Sequence, residues 1–171
     1  MFAIMAVIFE FIVTKISHSA LFADQAFAVS LAGAITSIVY MRWGFWGGIH
    51  AALMGFLYCL YSKAAGHQYL IYIVGNLFSL PAVLILIKCG YEKVRLSQWY
   101  FVFPLLVILL MQAGRILMAV LLGSDWETAF GFFTTDTLSI LFTVVIVWIA
   151  RRLDGIFENQ KHYLLRVHEE E

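Results

Sequence analysis

Gln112-Ala113-Gly114-Arg115-Ile116-Leu117-Met118-Ala119-Val120-Leu121-Leu122 is the stretch that decides the fold, read together with the Thr134-Thr135-Asp136-Thr137-Leu138-Ser139 that follows a short acidic loop. Each half lies in an apolar run long enough to cross a bilayer. An arginine or an aspartate at the centre of such a run costs roughly 2.5–3.5 kcal/mol on insertion scales. Both are therefore expected to face a protein interior or a wet cavity. If the two runs are antiparallel neighbours, Arg115 lies about seven residues before the end of one and Asp136 about six after the start of the next. At about 1.5 Å per residue, both then sit roughly 9–10 Å below the same membrane surface.

Composition sets the class around that stretch. The chain is 63% hydrophobic and 13% charged, whereas a soluble domain is nearer half apolar and about a quarter charged. Continuous apolar runs without period-2 alternation argue against a transmembrane barrel. The first stretch carries Glu10 and Lys15 where a secretory signal needs an unbroken apolar core. Cys59 and Cys89 have no CxxC spacing and fall at opposite membrane faces, so neither a disulfide nor a metal site is implied.

Six apolar segments are expected, or five with the first lying in the interface, making an all-α membrane protein with a six-transmembrane-helix bundle: about Phe2 to Ile16, Gln25 to Met41, Phe45 to Tyr61, Gln68 to Ile87, Trp99 to Leu122, and Phe130 to Ile149. Residues 1–152 form this transmembrane domain. Residues 153–171 mix Ile156, Phe157, Tyr163, Leu164, Leu165 and Val167 with charges, the pattern of a cytoplasmic amphipathic helix on the membrane or on a partner. With the C-terminus cytoplasmic, Arg42, Lys88, Lys93, Arg95, Arg151, Arg152, Lys161 and Arg166 fall inside and only Lys63 falls outside; Lys15 and Arg115 lie within segments. Eight against one is a strong positive-inside bias. It predicts a multi-pass cell-membrane protein with both termini cytoplasmic.

Polar residues then sort by depth. Gln112 and Arg115 share a face of segment five, and Asp136 and Ser139 share one of segment six, because positions i and i+3 are neighbours on a helix. Asn76 lies roughly 12 Å deep in segment four. Asn76, Gln112, Arg115, Thr135, Asp136 and Ser139 converge on the outer half of the membrane, and Tyr72 and Trp126 on the same surface could stack on a flat ligand. Against this stands a bland reading: an Arg115–Asp136 ion pair fixing helix register, and aromatics that belong to the interfacial belt. Gly44, Gly47, Gly48, Ala51, Ala52 and Gly55 make a small-residue stripe on segment three, suited to close helix contact. Pro81 and Pro104 are expected to kink segments four and five, and His50 reads as a packing histidine. No catalytic motif, metal-ligand spacing, phosphate loop or nucleic-acid-binding pattern is present, and no cofactor is implied.

One resemblance follows from Ser30-Leu31-Ala32-Gly33-Ala34 leading into Met41-Arg42-Trp43-Gly44-Phe45-Trp46-Gly47-Gly48-Ile49-His50-Ala51. With six short helices and cytoplasmic termini, this resembles the substrate-binding S components of bacterial energy-coupling-factor (ECF) transporters. The resemblance implies a vitamin-like small molecule bound near the outer surface, at positions corresponding to Asn76, Gln112, Arg115, Thr135 and Asp136. It also implies partners: a transmembrane coupling subunit and ATPases. The family's first helix carries an Ala-xxx-Ala coupling contact. Here segment one has Ala3 and Ala6, and only Ala28 with Ala32 on segment two keeps that spacing. A related fold serves as a membrane scaffold of the bacterial cell-elongation machinery, and this is the alternative function.

Overall fold

A computed structural model describes residues 2–17, 30–135, 137–153, 156 and 160–170. Ten α-helices are present among them: α1 (Phe2–Ser17), α2 (Ala32–Trp43), α3 (Gly47–Tyr61), α4 (Gly66–Leu77), α5 (Ala82–Cys89), α6 (Tyr91–Leu96), α7 (Trp99–Leu121), α8 (Trp126–Thr135), α9 (Thr137–Arg151) and α10 (Gln160–Glu170). Grouped by continuity, they give four helical runs long and apolar enough to cross a membrane: Ala32–Tyr61, Gly66–Cys89, Trp99–Leu121 and Trp126–Arg151. The last three match the expected segments four to six with ends shifted by up to four residues, whereas the expected segments two and three form one continuous run. Four such runs thus stand where six segments were expected; the part of segment two before residue 30 lies outside the described residues. The expected first segment is helical over Phe2–Ser17, and its 16 residues fall short of that length. The expected loop before segment five holds the short α6.

The first run folds on itself. Ala32, at the start of α2, shares a buried cluster with Met54 and Leu57 near the end of α3. On a straight helix, Ala32 and Leu57 would be roughly 37 Å apart. The reversal falls at a 3-10 turn, Gly44–Trp46, entered through Gly44 at φ 60° and ψ −128°. That left-handed conformation is one a β-carbon disfavours. The second run breaks at 78–81, where Pro81 supplies no amide hydrogen and α5 restarts at Ala82. In contrast, Pro104 sits inside α7 without ending it.

Helix α7 is the axis of the molecule. It touches α2, α4, α5, α6, α8 and α9. At its start, Tyr100, Phe103 and Val107 pack with Tyr40, Met41, Val83, Leu86 and Val147 in the largest core. At its far end, Ala119 packs with Ile71 and Ala129. The outward faces of the runs are apolar as well: Leu84, Ile87, Leu109, Leu117, Leu141 and Ile149 are all exposed. In water such a surface would drive aggregation, whereas in hydrocarbon it is the lipid-facing coat. The architecture is therefore an all-α bundle of a membrane protein.

The small-residue stripe on α3 is turned inward. Gly47 lies against the Tyr40 ring, Gly48 against Leu80, and Gly55 against the Tyr72 carbonyl and the Asn76 amide. Of the Ala28 and Ala32 pair, Ala32 is buried against α3 and Ala28 lies outside the described residues. After α9, Arg42 reaches the Ile156 carbonyl (Nη1 to O 3.5 Å) and lies over the Tyr163 ring of α10 at 5.9 Å. Leu164 and Leu165 of α10 remain exposed.

Candidate functional site

Asn76 is the joint of the site. Its Nδ2 donates to the Ala51 carbonyl of α3 at 2.9 Å, and its Oδ1 accepts from Arg115 Nε of α7, also at 2.9 Å. One fully buried amide thus ties three helices together, and its orientation is fixed because one end must donate and the other accept. The Ala51 carbonyl is a helix oxygen whose second lone pair takes the bond. In the break after α4, the Ser79 hydroxyl donates to the Asn76 carbonyl at 2.6 Å, so in the 2.8 Å contact between Tyr40 and Ser79 the tyrosine is the donor.

Arg115 is 5% exposed. Its guanidinium carbon lies 4.7 Å from the centre of the Tyr72 ring, so the cation meets the negative face of an aromatic as well as the amide oxygen. Tyr72 is held in turn by Tyr58 at 4.6 Å and by the edge-on Phe132 of α8 at 5.7 Å. Gln112, one turn before Arg115 on α7, is 1% exposed. Gln112 and Arg115 lie one turn apart on α7, both buried, and the bond to Arg115 puts Asn76 at the same level of the bundle.

What lets an arginine side chain lie between α4 and α7 is a glycine pair. A β-carbon on Gly114 would overlap the Gly75 carbonyl and stand 2.5 Å from Phe78 Cβ; one on Gly75 would stand 2.8 Å from Arg115 Cα. Both obstacles include backbone, which cannot swing aside. The two helices are consequently close enough for the short reach from Arg115 Nε to Asn76. Sequence reasoning singled out neither Gly75 nor Gly114 as a contact. The signal was there: Gly75-Asn76 and Gly114-Arg115 place a glycine next to each interacting polar residue.

The other expected site residues divide. Tyr72 belongs to the cluster. Ser139 is buried, but it serves a different seam: its Oγ accepts from the Ser30 amide at 3.0 Å, joining α9 to the start of α2. Thr143, one turn on, is fully buried beside Gly33, which extends that seam. Thr135 closes α8, and Asp136 lies outside the described residues. Trp126 is 68% exposed, whereas Ala129, one turn on in α8, is buried. With Glu127, Phe130, Gly131 and Thr134 it lines an open surface groove of about 470 Å³.

At the loop end, Asp125 caps α8. Its carboxylate accepts from the Thr128 amide at 3.0 Å and from the Thr128 hydroxyl at 2.7 Å. These hydrogen bonds from Thr128, the hydroxyl's first, hold its carboxyl below the usual carboxylate range. Among the described residues, no group of three or more His, Cys, Asp or Glu side chains is placed to hold a metal ion.

No family model, curated protein or solved structure matches this chain.

Proposed function

We propose that this protein is the substrate-binding subunit of a membrane uptake system. It would take a small, vitamin-like molecule at the Arg115 level, with energy supplied by a coupling subunit and ATPases and no chemistry of its own. In this reading, α1, the two limbs of the α2–α3 hairpin and the three later runs make six crossings. Both termini are cytoplasmic, and Arg115 lies in the outer half of a bacterial cell membrane. The observation that carries it is a buried guanidinium at span depth, held by Asn76 and the Tyr72 ring, one turn from a buried glutamine. Ionisable groups inside membrane spans are expensive and mark ligand or ion pathways by default. Arginine presents a fork that matches carboxylates and phosphates, so the ligand carries an anionic or carbonyl group.

A second reading has its own support. Asn76 bridges three helices with both ends of its amide satisfied, and the Gly75–Gly114 contact is a packing device. Both suit a scaffold of the cell-elongation type, in which Arg115 fixes helix register.

The deciding experiment is a thermal-shift screen of the purified protein against vitamins and their precursors. A bound ligand raises the melting temperature by mass action. For an uptake subunit, at least one compound stabilises the wild type, and Arg115→Lys, which keeps the charge but loses the fork, abolishes that shift. A wild type that answers to no compound, copurifying with cell-wall synthesis proteins, moves the assignment to the scaffold.

A further inference from the structure

The open groove on α8 gathers a different chemistry from the Arg115 cluster. Trp126, Glu127, Phe130, Gly131 and Thr134 all line this one cavity of about 470 Å³. Trp126, Phe130 and Thr134 recur at every fourth position, and Glu127 and Gly131 form the neighbouring row, so one helix face supplies the whole lining. Gly131 is what hollows it. A β-carbon built there would meet nothing within 4 Å, so the gap is space that a larger side chain would fill. The walls are braced: the Thr134 hydroxyl donates to the Gly131 carbonyl at 3.1 Å, and the Phe130 ring lies 5.9 Å from that of Phe133.

Charge at this end of the run is one-sided. From Ile116 through Ala150 the chain has no Lys, Arg or His, while Asp125, Glu127 and Asp136 are acidic. Lys63, in the turn between α3 and α4, is not part of the lining. The Asp125 carboxylate is engaged by Thr128, whereas that of Glu127 is exposed at the groove. Two aromatic rings beside a carboxylate suit an ammonium group. The rings offer their negative faces, tryptophan best of all, and the carboxylate offers charge and hydrogen-bond acceptors.

The level of the groove narrows the choice of ammonium. Trp126 opens the run Trp126–Arg151, and tryptophans at span ends mark the headgroup region. Farther along that run Leu141, Phe142 and Val145 are exposed, an apolar coat for acyl chains. We infer that the groove seats the headgroup of phosphatidylethanolamine, with the ammonium against the Trp126 ring and the Glu127 carboxylate. This goes beyond the Arg115 reading and does not depend on it, because Asn76, Gln112 and Arg115 are absent from the lining. The structural alternative is that Trp126 and Phe130 only anchor the run in the interface. That role asks for aromatic rings, with no carboxylate and no hollow at Gly131.

The test uses the full chain in a neutral detergent, with thermal unfolding followed during titration. The titrants are phosphatidylethanolamine, phosphatidylglycerol and phosphoethanolamine, the last being the headgroup without chains. Phosphatidylethanolamine raises the melting temperature saturably, and phosphatidylglycerol, which has no ammonium, does not. Glu127→Gln keeps the side chain's size, removes its charge, and raises the half-saturation for phosphatidylethanolamine about tenfold or more. Gly131→Leu fills the hollow from a position with open space and weakens binding to a similar degree. Should Glu127→Gln fail to fold, Gly131→Leu is read in its place. Equal responses to the two lipids, or either variant binding phosphatidylethanolamine like the wild type, would overturn the inference. Saturation by phosphoethanolamine at the same concentration would overturn the lipid as the occupant, since that compound brings no chains.

Discussion

Arg115 and Arg151 both lie over a tyrosine ring, and the resemblance ends there. Arg115 sits 4.7 Å from Tyr72, nearly sealed from solvent and bonded to a buried amide. Arg151 sits closer to its ring, 3.8 Å from Tyr100, yet remains exposed. Ring distance does not rank them, because the local dielectric does. The same cation–ring contact is worth about 0.5–1 kcal/mol at an exposed site and about 2 or more when desolvated. Removing a partner from a buried charge costs more still, since no water replaces it. The bundle thus has one end where arginine is part of the interior and another where it dresses the rim.

The largest effect should come from Asn76→Ala. It deletes the acceptor for Arg115 Nε and the donor to the Ala51 carbonyl, and leaves a buried charge short of a partner. We expect a loss of about 3 kcal/mol or more, read as a lower unfolding midpoint in a double-mutant cycle with Arg115→Ala. The coupling between the two should exceed about 1 kcal/mol. Additive losses would mean that water reaches Arg115, and the contrast with Arg151 would fail.

A smaller loss is expected for Arg151→Gln, about 0.5–1 kcal/mol, shrinking further as salt screens the exposed charge. Equilibrium unfolding at low and high ionic strength checks it. A cost equal to that of Asn76→Ala, or one indifferent to salt, would show that Arg151 is no rim residue.

Much of this contrast was legible in the chain. Helix periodicity put Gln112 and Arg115 on one face, and residue counting put Asn76 at the matching depth. The ends of the later runs fell within a few residues of their apolar limits, since hydropathy reports where backbone must be helical to satisfy itself in lipid. Other features were hidden for physical reasons. The partner of Asn76 Nδ2 is a backbone carbonyl, and every residue has one, so no side-chain pattern pointed to Ala51. Apolar length marks a span without saying which way its aromatic faces turn, so the exposure of Trp126 on an open groove was not readable. Ser139 shares with Gln112 the character of a buried polar group, but it bonds to the Ser30 amide just before α2. The shared level of two side chains on neighbouring runs is readable from sequence, whereas the seam that a side chain faces is set by packing.

Asp125 completes the comparison at its weak limit, as a fully solvated charge whose partners are one threonine's amide and hydroxyl. Its carboxyl titrates below the ordinary carboxylate range, with the Thr128 side-chain bond as the first cause. The sign follows from the depressed value. The ionised form is bound more favourably in the folded chain, so its contribution is fully present above the unfolded carboxylate pKa of about 3.9. It is lost as pH falls through the lower, folded value. Because the group is exposed, the consequence is local: the first turn of α8 frays while the bundle persists. Hydrogen exchange on the α8 amides should be insensitive to this group between about pH 7 and 5. At still lower pH, once the known acid dependence of exchange is removed, protection of the Thr128 amide should fall. Asp125→Asn retains a capping oxygen but cannot ionise, and should flatten that fall. If Asp125→Asn frays with the same pH dependence as the wild type, the cap is not what holds the start of α8, and this loop charge contributes nothing beyond the packing of Ala129 beneath it.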